Sequence, residues 1–475
     1  MKQITYLLST IILLSACTSL DENPPALLTG EQFYQTENDA KAAVNSVYTA
    51  LNASGQTIYN SLFQIGVDIA SDDALPGPRA RNANVRALAA LNYTPTNDRV
   101  EEIWKQHYAA INRANVAIDK IPGIDFDATI RTRLVNEAKF LRALYYFNLV
   151  RLYGAVPLVL HEPTTLGGDG ILVVRTPEAE VYQQIIDDLE DASNLPPSYG
   201  ASDAGRATGG AAKALLAKVY LTRKDWKKAA AKASEVITGP YGYDLFDNFQ
   251  DVFNTATENG KEHIFSAQFK SNSNSRGNSL AGRSTPNGVP GINGDNADIP
   301  NEGVYALFRD TDKRKAVTFY TTLVSPTDNK TYTFAPQFGK YRDPAVYTNP
   351  SESGVNFPIL RFSDVLLMYA EAVNEDVGPN TEAYNAANRV RKRAGLPYFE
   401  NLSQSQFRDS IYLERRLEFV YEHQRWFDLI RTGKLLTELH RQGKPNAAQK
   451  HYLYPIPQRE IDLNKKLEQQ DLWKN

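Results

Sequence analysis

The amino-acid sequence predicts an all-α-dominated fold: a tetratricopeptide-like repeat scaffold of about eight helices, with an irregular loop-rich region and a few short strands. Three observations carry this prediction. Apolar residues recur at helical spacing along most of the chain, and the helical segments come in pairs. Between two of those pairs the pattern gives way to Ser, Asn and Gly and then to alternating aromatics.

The elements follow in order. From Asp39 to Leu51, Ala43, Val47 and Leu51 form an i, i+4, i+8 stripe joined by Val44. Arg99 to Ile121 continues with Ile103, Trp104, Ala110, Ile111, Ala114 and Ile118. Ile130 to Tyr153 is the strongest single helix, with Leu134, Ala138, Leu141, Leu144, Tyr145 and Leu149 on one face. Gly154 and Pro157 stop it. Thr176-Pro177-Glu178 reads as a helix start, with a capping residue, proline at the first helical position and acids in the first turn.

The clearest repeat runs from Ala207 to Ile237, as two short helices joined around Arg223 to Asp225. Ala217, Tyr220 and Ala229 have the small–aromatic–small spacing of a tetratricopeptide repeat. Small residues let antiparallel helices approach, while the tyrosine fills the gap to the next pair. A second pair spans Ser363 to Ala394, with Tyr369-Ala370-Glu371-Ala372 facing Ala383, Ala387 and Val390. Between the pairs, Lys270 to Asn301 is rich in Ser, Asn and Gly. Thr318 to Thr348 alternates Phe319, Tyr320, Tyr332, Phe334, Phe338 and Tyr341 with polar residues, a pattern for short strands. Ordering so long an irregular stretch costs entropy, which favours a functional surface over a tolerated excursion.

The N-terminus carries a different message. Lys2 is followed by a mostly apolar run from Ile4 to Leu14, too short to stay in a bilayer as a spanning helix but right for a signal-peptide core. Leu14-Ser15-Ala16-Cys17 fits the bacterial lipobox, so residues 1–16 are expected to be removed and Cys17 acylated. Cys17 is the single cysteine of 475 residues, which excludes a disulfide, a thiol nucleophile elsewhere and a cysteine-ligated metal in the mature chain. Residues 17–37 read as a lipid-anchored tether and entry segment, and 38–475 as one helical domain with a loop-rich insertion near 270–350. The net charge of −3 gives no reason to expect a nucleic-acid partner. The 26 Tyr and 20 Phe could present rings to sugars or peptides, but most stand at helical spacing and read as core.

Motifs for chemistry are sparse. The six histidines (His107, His161, His263, His423, His440 and His451) have no metal-ligand spacing, and no HExxH, GxSxG or phosphate-binding loop is present. Gly167-Gly168-Asp169-Gly170 reads as a flexible turn. Asp72-Asp73 and Asp295/Asp298 lack the calcium-loop pattern and read as solvated loop acids. A non-enzymatic protein with no cofactor and no metal is expected.

Several segments together resemble the SusD/RagB family of nutrient-binding lipoproteins of Bacteroidetes, over nearly the whole mature chain. They are KFLRALYYFNLVRLYGAVPLVL from Lys139, GRATGGAAKALLAKVYL from Gly205 and RFSDVLLMYAEAVNE from Arg361. ERRLEFVYEHQRWFDLIRTG from Glu414 and LYPIPQREIDLN from Leu453 are the most telling. Asp21 and Glu22, just after the cysteine, also resemble the signal that sends such lipoproteins to the cell surface. The resemblance implies outer-membrane attachment, capture of oligosaccharides or of oligopeptides, and delivery to a SusC-like, TonB-dependent transporter barrel. A helical scaffold serving only protein assembly is the third reading. Glu414, Arg415, Arg416, Glu418, Glu422, Arg425 and Asp428 read as opposite charges at i, i+3 and i, i+4 on one helix with a buried face, its ion pairs holding its neighbours, and Arg361 with Glu371 in the same way.

In the family, ligand contacts come largely from the loop before the helix beginning near Arg99 and from the irregular insertion. The candidate ligand-binding residues are therefore Asp72, Asp73, Arg79, Arg81, Asn82 and Asn84 in the loop from Asp68 to Arg86, and Arg283 and Asn287 in the insertion. The sequence departs from the starch-binding members, because Asp68 to Leu91 contains no aromatic to stack on a sugar. Tyr320, Phe334 or Tyr341 of the insertion are the candidates to supply a ring.

Overall fold

The computed structural model describes residues 33–474, apart from 54, 164–171 and 274–275. The expected signal peptide, Cys17 and the turn expected at Gly167 to Gly170 lie outside the described residues. Nine helices of thirteen or more residues organise the described chain: α1 (Glu37–Asn52), α2 (Asp98–Lys120), α3 (Ala128–Tyr153), α4 (Glu178–Ala192), α5 (Gly209–Thr222), α6 (Trp226–Thr238), α7 (Phe362–Val377), α8 (Thr381–Ala394) and α9 (Gln404–Phe419). Local chemistry sets their ends. Thr36 caps α1 in a reciprocal capping box with Asp39, Ser403 does the same for α9 with Gln406, and Asn97, Asp127, Thr208 and Asn380 cap α2, α3, α5 and α8. Gly154, at φ +70°, ends α3 where a side chain would be strained. Pro177 is the cap residue of α4 rather than its first helical residue, and the Thr176 hydroxyl accepts from the Leu158 N–H instead of capping the helix.

Sequence neighbours pack on each other in a running series: α1 on α2 and α3, then α3 on α4, α4 on α5, α5 on α6, and α7 on both α8 and α9. Helix α6 also packs on α7, although 123 residues (239–361) separate them. The irregular region is thus looped out between two adjacent helices of the repeat. Its base is zipped by strands β2 (His263–Ala267) and β6 (Phe357–Arg361), which pair antiparallel and are buried along their length. Within it, β4 (Phe319–Val324) and β5 (Thr331–Phe338) make a hairpin, as the alternating aromatics predict. Its apolar side packs as a small separate cluster of Val289, Ile292, Tyr320 and Leu323.

Two expectations need correction. The Glu414–Asp428 stretch is not one helix: α9 ends at Phe419, the chain turns with positive φ at Tyr421 and His423, and a short helix restarts at Arg425. Its charges do hold neighbouring segments, as expected, but from two short elements and a turn and not from one continuous helix face. Glu414 binds Arg314 and Arg391, while Glu418 binds Arg314, Arg361 and Arg393. Arg361 does not pair with Glu371. It binds Glu262, Glu418 and Glu422, and Glu371 goes to Arg431. Removed from water, these groups hold only because each charge is matched by close, directional partners.

Candidate ligand-binding site

The stretch from Asp68 to Arg86 is structured and half of it is interior. Asp68 to Asp73 are buried. Strand β1 (Ala74–Pro76) pairs antiparallel with β3 (Asp298–Pro300), so the two candidate regions, far apart in sequence, meet edge to edge. Gly77 continues the approach: a Cβ there would lie 2.2 Å from the Asn296 carbonyl oxygen, so only glycine lets the backbones come this close.

The acidic candidates and Arg283 are corrected by their surroundings. Asp72 receives two parallel hydrogen bonds from Arg425, each 2.8 Å, and Asp73 accepts one from Arg416 Nε at 2.8 Å. Burial pushes the Asp72 carboxyl up, but the bonds and charge of Arg425 outweigh it and hold it below the usual range. Asp73 lies above that range, raised by burial and by the neighbouring Asp72 charge despite Arg416. Arg283 is bidentate to Asp298 at 2.7 and 2.8 Å and also donates to Gln64 Oε1. These three residues brace the site from beneath and are not presented to a ligand.

The remaining candidates come together on the surface. Arg79, Arg81, Asn82 and Asn287 are exposed and Asn84 is half-buried. Arg79 Nη1 and Asn287 Nδ2 both donate to the Gly294 carbonyl, at 3.4 and 3.3 Å, which ties the two segments into one rim. Asn82 Oδ1 accepts from the N–H groups of Asn84 and Val85, capping a short helix over Ala83–Ala89 and fixing the Asn82 amide in direction. The Arg81 guanidinium, the Asn82 Nδ2 and the Asn84 side-chain amide have no protein hydrogen-bond partner among the described residues. The rim thus offers planar donors and acceptors held on braced backbone, suited to vicinal hydroxyls or peptide groups.

The ring question resolves differently from expectation. Tyr341 is 1% exposed and Tyr320 is 9% exposed, with the Tyr320 hydroxyl donating to the Ser284 carbonyl. Phe334 stays half-buried, edge-on to Tyr320 at 5.5 Å, and Tyr332 and Tyr347 flank the same cluster. Tyr347 was missed from sequence because nothing local ties it to the rim; its carbonyl accepts from the Asn293 N–H across 54 positions. Among the described residues no three His, Cys, Asp or Glu gather as a metal site, and no helix is long and apolar enough to cross a membrane.

The architecture is a helical repeat carrying a looped-out region with a braced polar rim, and comparison with known proteins places it. Residues 311–473 match the model of the SusD family, and residues 20–221 match a model described as starch-binding, associating with the outer membrane. SusD-like protein P2 of Formosa agariphila is 31% identical over 98% of each chain, and SusD-like protein P25 of the same organism is 29% identical over 98% of each. A SusD superfamily protein from Parabacteroides distasonis superposes with TM-score 0.81 at 28% identity, covering 92% of this chain and 99% of that one. A laminarin binding SusD-like protein gives TM-score 0.80 at 28% identity, covering 92% and 100%. The chain belongs to the SusD family.

Proposed function

We propose that the protein is a cell-surface lipoprotein that captures oligosaccharides at the outer membrane and delivers them to a TonB-dependent, SusC-like transporter, without catalysing a reaction. The observation that carries this reading is the rim. Arg81, Asn82 and Asn84 present uncommitted planar hydrogen-bonding groups beside Arg79 and Asn287, on backbone held by β1, β3 and the Arg283–Asp298 pair. The match to a starch-binding, outer-membrane-associated family model and the likeness to a laminarin binding relative support a glycan as the ligand. The lipobox supports anchoring through Cys17. The acids at the rim favour binding over glycosidase chemistry: Asp72, Asp73 and Asp298 are held beneath the surface by Arg425, Arg416 and Arg283, which leaves Asp295 the exposed one.

Oligopeptide capture by the same rim is the second reading, favoured by the lack of aromatics from Asp68 to Leu91. Calorimetric titration of the soluble domain against glycan and peptide panels tests the choice. Heat with glycans is the expected result; heat with peptides alone would transfer the assignment to the second reading. Labelled palmitate entering the wild-type protein but not Cys17→Ala tests the anchor.

A further inference from the structure

A groove on the helical-repeat side of the molecule shares no lining residue with the rim. It has two arms, of about 370 and 250 Å³, which run together at Ala204, Gly205, Arg206 and Ser266. Strand β2 forms its floor and the segment before α5 forms its wall. Gly205, at φ +88°, stands at the junction, and a Cβ there would lie 2.7 Å from Gln268 Cδ.

Three features give the groove a chemical preference. The first is a fixed aromatic surface. Tyr241 and Tyr243 lie stacked with ring centres 5.8 Å apart at 21°, brought together by the left-handed turn at Gly242. They rest on two glycines of the helix pair: a Cβ at Gly239 would come within 2.6 Å of Tyr241, and one at Gly210 within 2.7 Å of Tyr243. The Tyr243 hydroxyl is further pinned to Thr208 Oγ1 at 2.8 Å. Rings seated this way lose little freedom on binding and offer a flat apolar face with a polar tip.

The second feature is charge. Arg206, at the junction, is consumed by Glu137 at 2.8 Å and Asp203 at 2.7 Å, with Asn45 Oδ1 as a further acceptor. Arg133 also lies 3.6 Å from Glu137, so two arginines face two carboxylates at the junction, and the lining Lys261 has Asp247 at 3.6 Å; the described lining thus gives an anionic ligand no net attraction. The third is the uncharged polar part of the lining: Gln268 is spent on Asn259, Asn356 and the Ser266 carbonyl, and the remaining capacity of Asn45, Asn52 and Asn259, with the hydroxyls of Ser198 and Ser202, is of the kind that exchanges hydrogen bonds with sugar hydroxyls.

We propose that this groove is a second carbohydrate site, in which a neutral oligosaccharide lays a ring on the Tyr241–Tyr243 surface and extends past Gly205 into the amide-lined arm. The assignment rests on the reading of the protein as a glycan binder, but it uses none of the rim residues. Two sites with no lining residue in common on one anchored chain would hold a long glycan at two points and raise retention by effective concentration.

Hydrogen-exchange mass spectrometry of the full soluble domain tests this with laminarihexaose, maltohexaose, cellohexaose, xylohexaose and mannohexaose. At least one of them is expected to protect 199–208, 239–243 and 263–268 as well as the rim. Tyr241→Ala should weaken the groove protection at least tenfold while leaving rim protection intact, which also reports that the variant is folded; Tyr241→Phe should keep both. An Arg81→Ala/Asn287→Ala variant should lose the rim signal and keep the groove. Protection confined to the rim overturns the second site alone, protection confined to the groove overturns the rim, and no protection by any glycan overturns both.

Discussion

Arg416 Nε donates to Asp73 Oδ1 at 2.8 Å, joining positions 343 apart in the sequence. Beside this pair Arg425 grips Asp72 with two bonds, and Lys444 Nζ donates to the Ile69 carbonyl at 2.7 Å. The rim therefore stands on the C-terminal helices, and its backbone position depends on residues far along the chain.

Removing Asp72 should be costly for that reason. Asp72→Ala leaves the largely buried Arg425 guanidinium without its bidentate acceptor, with Glu438 at 3.7 Å as its remaining acid, and takes one acid from the buried Arg416. Breaking a buried pair from one side typically costs about 3–5 kcal/mol. Urea unfolding of the soluble domain is expected to show a loss of this size. A change below about 1 kcal/mol would mean that solvent reaches the pair and that the brace is not needed.

How far this was legible in the sequence depends on range. Helices α1 to α3 and the pairs α5–α6 and α7–α8 were readable to within a few residues, since periodicity and caps are local. The Asp72-Asp73 dipeptide looked like a solvated loop because its partners, Arg425 and Arg416, come from the far end of the chain. The Glu414–Asp428 charges fit an i, i+4 pattern, yet the positive φ values at Tyr421 and His423 break the helix and send each charge elsewhere. Of the rim residues, Arg79 and Asn287 meet at the Gly294 carbonyl, a meeting set up by the long-range β1–β3 pairing and announced by no local pattern.

Arg81 and Asn287 should carry ligand affinity without carrying stability. Both side chains are exposed; among the described residues the Arg81 guanidinium has no hydrogen-bond partner and Asn287 has one long bond to the Gly294 carbonyl. A hydrogen bond to a charged donor is worth about 1.5–3 kcal/mol and a neutral one about 0.5–1.5 kcal/mol. Arg81→Ala is thus expected to weaken a glycan hit by about tenfold or more, and Asn287→Ala by a few-fold, with thermal midpoints near that of the wild type. Unchanged affinity in both, measured by calorimetry, would remove the rim from the binding reaction.

Acid should destabilise the fold through its buried histidines. His107 is fully buried, stacked on Phe63 with its Nδ1 2.6 Å from the Ile103 carbonyl, and burial pulls its pKa down to about 4. His451 is likewise pulled to about 4 by burial and the nearby Lys450 charge. A depressed imidazole pKa means that the unfolded chain takes up the proton first. The stability is complete above about pH 6.5 and is lost as pH falls from there to about 4, by up to about 3 kcal/mol for His107. His107→Phe, which keeps a ring against Phe63, should flatten this acid slope by one proton. An unchanged slope between pH 6.5 and 4 would show that His107 is already protonated in the native state.

Glu258 should act in the opposite sense. Its half-buried carboxyl accepts from the Asn356 N–H at 2.9 Å, while burial, reinforced by the charge of Asp343, pushes its pKa up to about 7. Because the folded state holds this proton more tightly than the unfolded chain, the protonated group favours folding at low pH. That advantage declines as pH rises from the ordinary carboxyl range to about 7, and above it the fold carries a poorly solvated charge. Glu258→Gln keeps an acceptor for Asn356 and can never ionise. The variant is expected to match the wild type at pH 5 and to melt at a higher temperature at pH 8. The location adds a constraint: Asn356 also donates to Gln268 Oε1 and accepts from the Phe269 N–H, so a misplaced Glu258 would disturb the wall of the repeat-side groove. Equal thermal midpoints for variant and wild type at pH 8, with the expected match at pH 5, would show that Glu258 ionises in the fold as freely as in water.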